Sequence, residues 1–190
     1  PVNWACTSML VRQPNGMEQV GALSVATQWF MALLWLPNVL DQAVMPILSE
    51  RLGVNDAARS TKLFIVSLKI TAAVTFPFVI IGSLLSRSIM SAYGEDFASD
   101  WPTLVIALIT CAVVAVQVPA GNMIAASGRM WLGFCMNFLW AAVFVGMTWV
   151  MVKWGSLGLA SARFLAYSAQ GIWACVYAVL WVRRMTRNGS

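Results

Sequence analysis

Apolar residues along the chain fall into long runs, separated by shorter stretches that carry polar and turn-forming residues. A hydrocarbon core about 30 Å thick needs roughly 20 apolar helical residues to cross it. Five runs meet that length, at about 20–48, 63–86, 102–125, 131–152 and 157–182. Residues Pro1 to Val11 read as the end of a preceding helix. The expected fold is therefore all-α, a polytopic transmembrane helix bundle with five complete spans plus the end of a sixth. Residues 1–190 are expected to form a single membrane domain. The separators carry turn chemistry: Gln13-Pro14-Asn15-Gly16, Tyr93-Gly94-Glu95-Asp96, Ser127-Gly128-Arg129 and Trp154-Gly155-Ser156. Asn55 and Asp56 are placed to cap a short helix leading into the second span.

Composition narrows the picture. Sixty per cent of residues are hydrophobic and only 10% charged, with no histidine, against about 25% charge in an ordinary soluble domain. The net charge of +5 does not indicate nucleic acid, because the cations are scattered at the ends of apolar runs and form no patch with exposed aromatics. Cys6, Cys111, Cys135 and Cys175 each sit in an apolar run without a Cys-x-x-Cys spacing. They read as free, buried thiols and not as a metal site or disulfide framework. The chain opens at Pro1 on an apolar stretch without a basic leader, as expected of the C-terminal portion of a longer protein.

Orientation follows from the cations by side. Arg51, Arg59, Lys62, Arg129, Arg183, Arg184 and Arg187 gather on one side, and only Arg12, Arg87 and Lys153 on the other. The richer side is expected to be cytoplasmic, and the C-terminus with it. Trp101, Trp149 and Trp154 mark the outer interface, Trp131 and Trp181 the inner one.

Charge inside a span is costly and marks either a function or a structural pair. Three groups qualify. Asp41 and Lys69 sit at matching depths, about 10 Å from the inner ends of adjacent spans at 1.5 Å per residue. They read as an ion pair, with the lysine also free to snorkel, or, at Asp41, as a site for a coupling ion. Asp41 lies between Pro37 and Pro46, which free backbone carbonyls. Arg163 lies about two turns into the last span, where a guanidinium either meets a crossing phosphate or snorkels outward. Gln28, Asn38, Gln117, Asn122 and Asn137 are amides of the kind that join helices together. Pro37, Pro46, Pro77 and Pro119 lie inside spans, and breakable helices of this sort suit alternating access. Catalytic chemistry has little to work with: there is no histidine, no phosphate loop and no metal spacing. Glu95, Asp96 and Asp100 are the one acidic group, expected in a solvated outer turn. No cofactor is expected.

Leu36-Pro37-Asn38-Val39-Leu40 through Met45-Pro46-Ile47-Leu48-Ser49-Glu50 resembles a helix end in bacterial polysaccharide flippases. Tyr93-Gly94-Glu95-Asp96-Phe97, Pro102-Thr103-Leu104, Ala126-Ser127-Gly128-Arg129, Asn137 and Gly158-Leu159-Ala160-Ser161-Ala162-Arg163 follow in that family's order. The chain thus resembles the C-terminal half of an O-antigen or exopolysaccharide lipid-carrier flippase, in the multidrug/oligosaccharidyl-lipid/polysaccharide exporter superfamily. The resemblance implies two six-helix lobes around a central cavity, with this chain in the second lobe and the N-terminal lobe as its partner. It implies flipping of an undecaprenyl-diphosphate-linked oligosaccharide across the bacterial inner membrane. Under it, Arg163, Lys69 and Arg129 become candidates for the diphosphate, Asn122, Asn137 and Gln117 for the sugar, and Asp41 for ion coupling. Alternatives are a cation-coupled multidrug exporter of the same superfamily and a membrane-embedded glycosyl or acyl transferase.

Overall fold

The computed structural model describes residues 1–53, 57–126, 128 and 130–188. Their side chains are described except at 36, 40, 41, 43–53, 57–61, 63, 64, 122, 123, 125, 126 and 178–188. The described residues are helical almost throughout, and no strand occurs among them. Among the described residues seven α-helices follow in order: α1 (Val2–Val11), α2 (Gly16–Gly53), α3 (Ala57–Leu84), the short α4 (Ser86–Ala92), α5 (Trp101–Ala126), α6 (Met130–Met151) and α7 (Gly155–Asn188). A 3₁₀ segment, Glu95–Asp100, leads into α5, and a single 3₁₀ turn, Val152–Trp154, joins α6 to α7.

Among the described residues, four stretches are long and apolar enough to cross a membrane: Gly16–Val39, Ile65–Leu84, Glu95–Gly121 and Met130–Tyr177. The last has 48 residues, about 72 Å of helix at 1.5 Å per residue and more than twice the hydrocarbon thickness. It does not run straight. The 3₁₀ turn and Gly155, at φ 66° in the left-handed region, reverse the chain, and α6 and α7 pack against each other as a hairpin.

Among the described residues, a small apolar cluster joins Ala120 and Ile124 of α5, Met136 of α6 and Ala174 of α7, and two larger ones hold most of the bundle. One joins Ala22, Val25, Ala26, Phe30 and Leu34 of α2 to Val79, Met90 and the α5 face Leu104, Leu108, Cys111 and Ala115. The other joins Cys6 and Leu10 of α1, Leu23 of α2 and Phe144 of α6 to Leu159, Ala160, Ala162 and Ala166 of α7. Alanine predominates where α5 and α7 meet their neighbours. Small side chains let membrane helices approach closely, where van der Waals contact rather than water exclusion drives association. The large residues face outward instead: Trp4, Trp131 and Trp149 are about three-quarters exposed, an arrangement that water would penalise and lipid accepts.

At one end of the bundle a polar knot ties three elements to the start of α7. The Ser156 amide donates to Gln19 Oε1 at 2.7 Å, the Thr103 and Ser156 hydroxyls are 2.8 Å apart, and Ser156 Oγ donates to Asp100 Oδ1 at 3.2 Å. The side chain of α2 thus takes up one of the orphan amides at the head of α7. Asp100 places negative charge where the helix dipole favours it. Asp100 therefore does more than the solvated turn expected of it. Gly155 permits the contact, since a Cβ there would strike Gln19 Oε1.

A buried arginine and two polar clefts

Arg163 lies on α7 and is 8% exposed. It does not snorkel outward. Gln19 meets Ser156, so α2 and α7 start level. Thr27 lies eight residues beyond Gln19 and Arg163 seven beyond Ser156. The bond from Arg163 Nη1 to Thr27 Oγ1, 3.2 Å long, therefore runs sideways within the membrane. The guanidinium also stands 6.0 Å from the Phe30 ring and 5.9 Å from the Phe144 ring, at the outer limit of cation–π attraction. These contacts do not saturate a group with five N–H donors, and Nε is buried without a hydrogen-bond partner.

The arginine borders a cleft of about 500 Å³ between α1, α2 and α7. Asn3 and Thr7, then Ser24, Thr27 and Gln28, then Arg163 and Tyr167 supply its polar lining, with Phe30 beside them. No carboxylate lines it among the described residues. A cavity with a desolvated cation, hydroxyls and amides selects for an anion carrying polar substituents, and repels a cation. Of these residues sequence reasoning singled out only Arg163 and Gln28. The signal was present in the spacing: Asn3 with Thr7, Ser24 with Thr27 and Gln28, and Arg163 with Tyr167 each recur at three or four residues, one face of a helix.

The other candidates lie elsewhere. Asn137 is exposed on α6 and borders a second cleft, of about 430 Å³, together with Gln170 of α7. Gln117 donates from Nε2 to the Tyr167 carbonyl at 2.8 Å. It joins α5 to α7 and does not line the arginine cleft. Lys69 is exposed on α3. The side chains of Asp41 and Asn122, and the whole of Arg129, lie outside the described residues, and the expected Asp41–Lys69 pair with them. Gln170 was missed by sequence reasoning, although it lies seven residues after Arg163 and shares its face of α7.

Comparison with known proteins places this architecture. The chain is 30% identical over 169 residues to the "EPS I polysaccharide export inner membrane protein EpsE" of Ralstonia nicotianae (strain ATCC BAA-1114 / GMI1000), a match covering 84% of this chain and 38% of the relative. It is 29% identical, with the same coverage, to the protein of the same name from Ralstonia solanacearum. The chain thus spans less than half the length of these relatives. No solved structure matches it significantly. The MatE family profile matches residues 2–145, from α1 into α6, and the chain belongs to the MatE family.

Proposed function

We propose that this chain is part of an inner-membrane exporter that flips an undecaprenyl-diphosphate-linked oligosaccharide to the outer leaflet for polysaccharide biosynthesis. The observation that carries the reading is Arg163, a buried cation with an unpartnered Nε in a polar cleft within a membrane-spanning chain. The names of the relatives, both polysaccharide export inner membrane proteins, supply the cargo class.

An anionic diphosphate needs a charged donor inside the membrane, and a planar guanidinium offers paired N–H groups at phosphate spacing. Hydroxyls and amides beside it suit sugar, while a polyprenyl chain can stay in lipid. The same electrostatics disfavour the multidrug alternative, since a lipophilic cation entering this cleft meets Arg163 and no described carboxylate. In this reading Lys69 and Arg129 supplement the diphosphate contacts, Asn122 the sugar contacts, and Asp41 the coupling ion. The chain acts as a transporter and not an enzyme, with its C-terminus in the cytoplasm and the rest of the relatives' length supplying the facing lobe.

The test is Arg163→Ala in the full-length protein, in a host lacking the native gene. Surface polysaccharide is expected to fall at least tenfold, as about 1.4 kcal/mol or more of lost binding implies, while membrane abundance stays level. Unchanged polysaccharide removes Arg163 from the cargo site.

A further inference from the structure

The second cleft lies between the end of α5, α6 and α7, bordered by Gly121, Gly133, Phe134, Asn137 and Gln170. Asn137 Nδ2 donates to the Gly133 carbonyl at 3.0 Å, and Gln170 Nε2 donates to Asn137 Oδ1 at 3.4 Å. The second contact is long, and it leaves Gln170 Oε1 and the remaining amide protons for another partner.

Both helices give the depth of this pair. Asn137 stands seven residues beyond Met130, about 10 Å along α6. Gln170 stands fifteen residues beyond Gly155 on the antiparallel α7, about 22 Å from the other side and so about 8 Å short of the near one in a 30 Å core. A lipid headgroup rests at the interface, above this level, and an acyl chain offers an amide nothing. A polar ligand reaching the pair has to be carried into the span.

The floor of the cleft is kept open. A Cβ built at Gly121 or Gly133 meets nothing within 4 Å, so neither glycine is required by the packing of the described residues. Phe134 presents a ring at the rim and stacks with Phe138, centroids 6.5 Å apart. The cleft's 430 Å³ falls within the roughly 300–1,000 Å³ range of small-ligand sites. Amides pair bidentately with neighbouring hydroxyls, and a ring face covers the apolar side of a pyranose.

We infer that this cleft is a glycan subsite, in which Asn137 and Gln170 bind hydroxyls of a sugar unit and Phe134 covers its apolar face. The inference rests on the proposed exporter reading and adds Gln170 as a residue that determines which sugar passes.

The experiment uses the full-length protein in a polysaccharide-producing host whose native gene is deleted, with polymer output normalised to membrane abundance. Gly133→Leu fills the cleft, and Asn137→Leu and Gln170→Leu remove its polar lining. All three are expected to lower output about tenfold, one lost set of sugar hydrogen bonds, at unchanged abundance. A benzophenone photo-crosslinker at position 134 is expected to capture material that carries the glycan. Unaltered output from Gly133→Leu overturns the site. Lost abundance in the two amide variants makes the pair a helix joint and overturns it equally. Adducts containing only phospholipid, or another segment of the same protein, identify a different occupant and do the same. If gene deletion itself leaves the polymer intact, the exporter reading falls, and the crosslink still decides whether the cleft holds sugar.

Discussion

Thr27, Phe30 and Phe144 surround the Arg163 guanidinium without exhausting it. A hydrogen bond from a charged donor contributes about 1.5–3 kcal/mol where it is made, and an idle buried donor costs a similar amount. A side chain kept in that condition is poised for an incoming acceptor. Thr27→Val keeps the shape and removes the hydroxyl, so Arg163 loses its only described hydrogen bond. Polymer output is expected to fall less than in Arg163→Ala, roughly threefold, consistent with the ~0.5–1.5 kcal/mol of one ordinary hydrogen bond. Export assays at matched abundance check the ordering. A Thr27→Val effect larger than that of Arg163→Ala would show that the hydroxyl acts independently of the arginine.

Between elements, the joint of α5 and α7 is sharply fitted. A Cβ at Gly171 would come within 2.5 Å of Gln117 Nε2, the atom already engaged with the Tyr167 carbonyl. Gly171→Leu is therefore expected to force the two helices apart and destabilise the protein by about 1–3 kcal/mol, as overpacking does. A lowered unfolding temperature of the detergent-solubilised full-length protein checks it, and the exposed Gly146, where a Cβ meets nothing, serves as control. The helices themselves were readable from run length, since 20 apolar residues in a row admit few other structures. Partner choice was not. Gln117 looks the same in the sequence whether it faces α7 or a cavity, because its reach depends on Gly171, 54 residues away. Asp100 and Ser156 were equally opaque, each being an ordinary turn residue until the fold brings them together. The clefts were half visible: the repeat of polar residues at three and four positions marks a helix face but not what that face meets.

For the molecule as a whole, the outward-facing tryptophans and the inward alanines reverse the pattern of a water-soluble bundle, and the charge asymmetry predicts its orientation. Single cysteines at Ser91 and Ser190, in a background without Cys6, Cys111, Cys135 and Cys175, are expected to label from opposite sides of the membrane. Ser91 is an exposed position on the short helix α4, on the poorer side of the cation count. Labelling of both from one side refutes the topology.

The knot at Ser156 bears on how the protein is made. Ribosomes deliver Gln19, Asp100 and Thr103 long before residue 156 emerges, so the partners of the α7 head are installed ahead of it. The final hairpin arrives at an existing receptor for its bare amide, and no later segment of the described chain has to supply one. Its insertion then completes a dock that the earlier helices already present.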